Sequence, residues 1–95
     1  MVRVRVRLRG FLAAQAGVDD LEAEFEGRSV GDLIAELVER FRQPFRDAVV
    51  DPVLNSPTPR VIITVNGVEV GCLKQLDTEL RDGDIVDVIP TVHGG

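Results

Sequence analysis

The sequence closes on Gly94-Gly95, and a diglycine end offers chemistry. Without Cβ atoms, the backbone can enter a channel too narrow for any side chain and turn freely inside it. The carboxylate of Gly95 is then the reacting group. A carboxylate at neutral pH is a poor acyl donor, so an outside enzyme using a nucleotide would have to activate it. The chain itself would be substrate and carrier. Chain ends are commonly frayed unless tied down, so two glycines decide nothing by themselves. Other reactive side chains are few. His93 is the single histidine, and general-base work needs a fixed geometry within hydrogen-bond reach; a recognition contact, or no role, is favoured. Cys72 is the single cysteine, which excludes an internal disulfide and cannot build a metal site alone. Only Lys74 lies close in sequence to lower its thiol pKa, so a plain buried or half-buried thiol is expected. Asp82 and Asp84 flank Gly83 without the ligand spacing of a calcium loop and read as turn chemistry. No bound metal or cofactor is expected.

Composition narrows the classes further. Ninety-five residues suit one domain, which buries roughly 65% of the surface exposed when unfolded. With 44% apolar and 28% charged residues and no long apolar stretch, the expectation is a globular chain without membrane span or signal peptide, cytoplasmic by default. A net charge of -5 and only four aromatics, all Phe, oppose nucleic-acid binding, which needs Lys and Arg against phosphates. Arginine outnumbers lysine ten to one. Self-conjugation would therefore be limited to Lys74 or the Met1 amine.

The elements that must carry the tail follow from periodicity. Residues 2–9 read VRVRVRLR, a period of two that puts Val2, Val4, Val6 and Leu8 on one face of a strand. After Gly10, residues 11–16 suit a turn of helix. Residues 20–26 alternate again, with Leu21, Ala23 and Phe25 inward and Glu22, Glu24 and Glu26 outward. Ser29 and Asp32 form a short-armed capping box. Val30, Leu33, Ile34, Leu37, Val38 and Phe41 then make one helical stripe, ending near Gln43 because Pro44 disfavours helical geometry before it. The proline-rich residues 44–60 read as a connection with a helical turn at 45–49. Residues 61–65 and 68–70 form a hairpin about Asn66-Gly67. Arg81-Asp82-Gly83-Asp84 turns into a last strand over residues 85–89.

Two strands, a helix, then further strands make an α+β chain of β-grasp (ubiquitin-like) type, a mixed sheet with one main helix packed across it. Its first and last strands must be parallel neighbours at the sheet centre. The domain is expected over residues 1–89, with 90–95 as a flexible diglycine tail leaving through Pro90. Arg3, Arg5, Arg7 and Arg9 then form a basic row on the open face. Asp87 is not expected to be buried, so Ile85 and Ile89 share its outward direction and Val86 and Val88 face inward. Arg3, Arg5, Arg7, Ile85, Asp87 and Ile89 thus make a mixed patch suited to a partner, against the plainer reading of a solvated face.

Three stretches carry a family resemblance over nearly the whole chain: Val65-Asn66-Gly67, the segment Leu80-Arg81-Asp82-Gly83-Asp84-Ile85-Val86, and the end Ile89-Pro90-Thr91-Val92-His93-Gly94-Gly95. In this order they resemble the ubiquitin-like sulfur carriers of the MoaD/ThiS group. Pro90 is similar to the small subunit of molybdopterin synthase and to small archaeal modifiers, whereas Thr91-Val92-His93-Gly94-Gly95 is similar to the ubiquitin-related modifier. The resemblance implies that the chain is no enzyme. An E1-like adenylating enzyme, using ATP and magnesium, would convert Gly95 to an acyl-adenylate. A sulfur donor such as a sulfurtransferase, or a target lysine, would then take it to a thiocarboxylate or an isopeptide. Gly94, His93 and Pro90 would serve tail recognition. Partners would be that enzyme, lysine-bearing targets or a molybdopterin synthase large subunit, with a monomer expected alone. Sulfur delivery as a molybdopterin synthase subunit is the alternative within this class. A β-grasp interaction module without tail chemistry is the alternative outside it.

Overall fold

The computed structural model describes residues 1–51, 57 and 60–91. The alternating N-terminus forms β1 (Val2–Leu8), with Val4, Val6 and Leu8 buried. Gly10 turns the chain at φ 55 into α1 (Phe11–Ala16), which Gly17 closes in the left-handed region. β2 (Asp20–Phe25) returns antiparallel to β1. Its Ala23 and Phe25 enter the core, and Leu21 packs at the margin.

The cap of α2 (Val30–Phe41) is reciprocal: the Ser29 hydroxyl accepts from the Asp32 N–H at 3.0 Å, and the Asp32 carboxylate accepts from Ser29 N–H and Arg28 N–H, each at 3.1 Å. The bond from the Ser29 amide, then that from Arg28, holds the Asp32 carboxyl below its ordinary pKa, because each donor favours the charged form. Val30, Leu33, Ile34 and Leu37 are buried, with Val38 and Phe41 packed beside them. The helix stops at Phe41, short of Gln43, where Arg42 takes a positive φ. α3 (Phe45–Val49) follows and is anchored rather than loose. Phe45 and Val49 are fully buried, and the Phe45 ring meets Phe41 edge-on with centroids 5.2 Å apart.

β3 (Val61–Val65) and β4 (Val68–Glu69) form the hairpin about Asn66 and Gly67, whose φ values are 52 and 86. β4 is one residue shorter than the sequence suggests because Val70 begins a 3₁₀ turn, Val70–Cys72, followed by a second, Gln75–Asp77. The chain then ties to the start of α2: Val30 N–H donates to Thr78 C=O at 2.9 Å and Leu80 N–H to Arg28 C=O at 2.6 Å. β5 (Ile85–Pro90) completes the sheet.

Among the described residues the strands form one sheet in the order β2-β1-β5-β3-β4. β1 and β5 are parallel, with Val6 beside Val86 and Leu8 beside Val88; the remaining pairs are antiparallel. One face carries the core against α2. Leu33 is fully buried there, so Leu33→Ala removes apolar contacts and leaves a cavity at a cost of about 2–5 kcal/mol. Urea denaturation should report that loss as a lower midpoint with an unchanged slope.

Candidate functional site

The open face of the sheet is built from the outward residues of four strands. Register places Arg3 beside Glu24, Arg5 beside Glu22, Arg7 between Asp20 and Asp87, and Thr64 beside Asp87. The side chains follow. Arg3 Nη2 lies 2.8 Å from Glu24 Oε2, and Arg5 Nη1 lies 2.9 Å from Asp20 Oδ1, with Glu22 Oε1 at 3.5 Å from Arg5 Nη2. Arg7 grips Asp87 with a two-bonded fork, Nε to Oδ1 at 3.0 Å and Nη2 to Oδ2 at 3.2 Å. Arg9 adds Nη2 to Oδ1 at 3.1 Å, and Thr64 Oγ1 donates to Oδ2 at 3.4 Å.

The expected arginine row lies on the open face, but its charge is balanced: every arginine of β1 and Arg9 beyond it meets a carboxylate. The signal was present in β2, whose outward acids alternate in step with the arginines. Asp87 is corrected as well. It points to the open face as parity requires, yet it is only 7% exposed, because Arg7 and Arg9 fold over it and Thr64 closes the third side. A buried charge persists when it is paired and hydrogen-bonded. Ile85 and Ile89 face outward but are half-buried rather than exposed, since β5 is central and has neighbours on both sides. Ile62, directly opposite Ile89, is the more open at 38%. The alternation of β3 is the sequence signal that turns Ile62 outward.

The motif before β5 is a clip. Asp82 Oδ1 accepts from Arg3 N–H at 2.8 Å and Gly83 N–H donates to Arg3 C=O at 3.0 Å. Asp84 Oδ2 accepts from Arg81 N–H at 2.8 Å and Oδ1 from Asn66 Nδ2 at 2.9 Å, while Asn66 Oδ1 accepts from Ile85 N–H at 2.9 Å. These acids organise a turn, as their spacing suggested. Among the described residues no group of three or more His, Cys, Asp or Glu could hold a metal.

The remaining named residues are dispersed. Cys72 is exposed rather than buried, because the 3₁₀ turn Val70–Cys72 sends Val70, not Cys72, into the core. Lys74 is exposed. Pro90 is not the first residue beyond the last strand but its final one, buried and paired with Val61. His93, Gly94 and Gly95 lie outside the described residues.

A five-stranded mixed sheet with β1 and β5 at its centre and a helix packed across one face is the ubiquitin-like β-grasp fold. The chain belongs to the ThiS family, whose model matches residues 6–95, and so to the ubiquitin-like sulfur carriers and modifiers. It is 30% identical to ubiquitin-related modifier 1 of Candida glabrata over 98 residues, covering 100% of both chains. It is 35% identical to an Archaeoglobus fulgidus protein assigned as a sulfur carrier, over 88% of this chain and 93% of that one. The solution structure of small archaeal modifier protein 1 from Methanosarcina acetivorans superposes with a TM-score of 0.80 at 27% identity, covering 100% of this chain and 98% of that one. No helix among the described residues is long and apolar enough to cross a membrane.

Burial is the largest influence on the Asp87 carboxyl and raises its pKa, but the hydrogen bonds and charges of Arg7 and Arg9 together outweigh it, leaving the group below its usual 3.8. A carboxyl depressed in the folded state contributes stability that is present above its unfolded pKa and is lost as pH falls through the folded value. Asp87→Asn should thus be less stable than the unsubstituted protein at pH 7, and the gap should close below about pH 4. Urea midpoints measured from pH 7 down to the acid limit check this.

Proposed function

We propose that this chain is an acyl carrier whose Gly95 carboxylate is activated by an E1-like adenylating enzyme. The carboxylate attacks the α-phosphorus of magnesium-bound ATP, pyrophosphate leaves, and an acyl-adenylate results. A sulfurtransferase persulfide then displaces AMP to give an acyl disulfide, which a thiol cleaves to the thiocarboxylate while forming a disulfide with the sulfurtransferase sulfur, or a target lysine amine displaces AMP to give an isopeptide. The chain supplies the acyl group and the partner supplies the catalytic residues. The observation that carries this is the family match through residues 6–95, which includes Gly94-Gly95 at its end. A need for ATP supports an ATP-containing compartment, the cytoplasm by default.

The open sheet face would dock the enzyme. With its arginines already paired, long-range charge contributes little there. The apolar contact at Ile62 and Ile89, beside the end of β5, is the better anchor. Ile62 is exposed, so Ile62→Glu should leave the fold intact while raising KM for adenylation about ten-fold or more, as loss of a central apolar contact does at interfaces. An unchanged KM would remove this face from the docking surface.

The central test is the mass of the intact chain from its native cells. One oxygen exchanged for sulfur at Gly95 is expected for sulfur carriage. Trypsin cleavage after Arg81 should leave residues 82–95 as a branch on target lysines if conjugation occurs. Deleting Gly95 should abolish both products, and persistence of either in that variant would overturn the proposal.

A further inference from the structure

The reach of a reactive arm depends on where it leaves the fold, and β5 does not let go at Ile89. Pro90 is buried and paired with Val61. Proline has no N–H to donate, so the next donor along the chain is Thr91. Thr91 N–H donates to the Arg60 carbonyl at 3.0 Å, and Thr91 Oγ1 donates to that same oxygen at 2.9 Å. A carbonyl oxygen has two lone pairs and can accept both.

The other side of the root is held by the turn after β1. Arg9 N–H donates to Val88 C=O at 3.0 Å, bringing Gly10 over the Pro90 ring. At Gly10 φ is +55, and a Cβ there would stand 3.0 Å from Pro90 Cγ. Only a residue without a side chain fits both conditions without displacement.

We propose that Thr91 is a positioning residue: its double bond to the Arg60 carbonyl, opposite the Gly10–Pro90 contact, fixes the direction in which the chain departs from β5 ahead of residues 92–95. This rests on the acyl-carrier reading. Covalent geometry limits those four residues to at most about 13–14 Å, against about 20 Å for an arm counted from Pro90. The activating enzyme must accordingly bring its surface against the end of β5, where Ile62 and Ile89 face outward. Holding the root removes ordering entropy from the docking step, so its loss is felt in KM and not in the chemical step.

The test compares Thr91→Val and Thr91→Ser with the unsubstituted full chain, using ATP–pyrophosphate exchange by the E1-like enzyme of the source cells together with backbone ¹⁵N relaxation. Thr91→Val keeps the N–H bond and removes the hydroxyl. It should raise KM about three- to ten-fold, the scale of one neutral hydrogen bond, with kcat unchanged. The order parameter at position 91 should fall from near 0.85 towards about 0.6. Thr91→Ser should restore both. Equal KM for Thr91→Val and the unsubstituted chain, or a Thr91→Ser variant as impaired as Thr91→Val, overturns the anchor while leaving the acyl-carrier reading intact. If the unsubstituted chain supports no exchange, that reading falls and the anchor's role falls with it.

Discussion

The parallel pairing of β1 with β5 is the constraint from which the rest of the structure follows. Parallel neighbours cannot be joined by a tight turn, so the whole interval between them becomes the connection. α2 must cross the face on which Val6, Val86 and Val88 are fully buried, and β2 and β3 must flank the central pair. The position of Asp87 has the same origin. A carboxylate on an edge strand would have water on one side, whereas β5 lies between Arg7 and Thr64.

The Arg81–Asp84 turn shows how few residues hold this arrangement in register. Asp82 fixes the start of β1 through the Arg3 backbone, and Asp84 reaches the β3–β4 turn through Asn66. Because Arg5 N–H also donates to Asp84 C=O at 2.9 Å, the central parallel pair begins at a turn that is already bonded to the hairpin beside it. A one-residue slip of β5 would turn Val86 and Val88 outward and bring Asp87 under α2. Short polar side chains in a tight turn therefore protect the apolar face from a distance.

Much of this was legible in the sequence, and the limits have physical causes. The period-two pattern of β1, the Ser29–Asp32 cap and the stripe on α2 are local signals, and the structure follows them within a residue or two. The parity of β5 was also readable, so Val86 and Val88 were placed inward. What parity cannot reveal is how a neighbouring strand covers an outward residue. Nothing local to Asp87 signals its burial, because Arg7 and Arg9 become its partners only through β1–β5 register. The arginine row looked basic because the acids that balance it lie on another strand. Cys72 depended on a 3₁₀ turn with no strong sequence marker, and the grip on Thr91 on a backbone carbonyl at Arg60, which no side-chain pattern announces.

β5 is both the central strand of the sheet and the last of its strands in the chain. During synthesis β1, β2, α2 and the β3–β4 hairpin all emerge before the strand that joins them, so the two halves of the sheet have no shared partner until residues 85–90 are available. The same strand leads directly to the diglycine. A truncated product that lacks the diglycine through loss of β5 is thus also a product that cannot close its core. It would display unpaired strand edges and apolar surface of the kind that invites degradation. Closure of the core and appearance of the diglycine are coupled by chain order, so chains that stop short of it would not accumulate in a folded form.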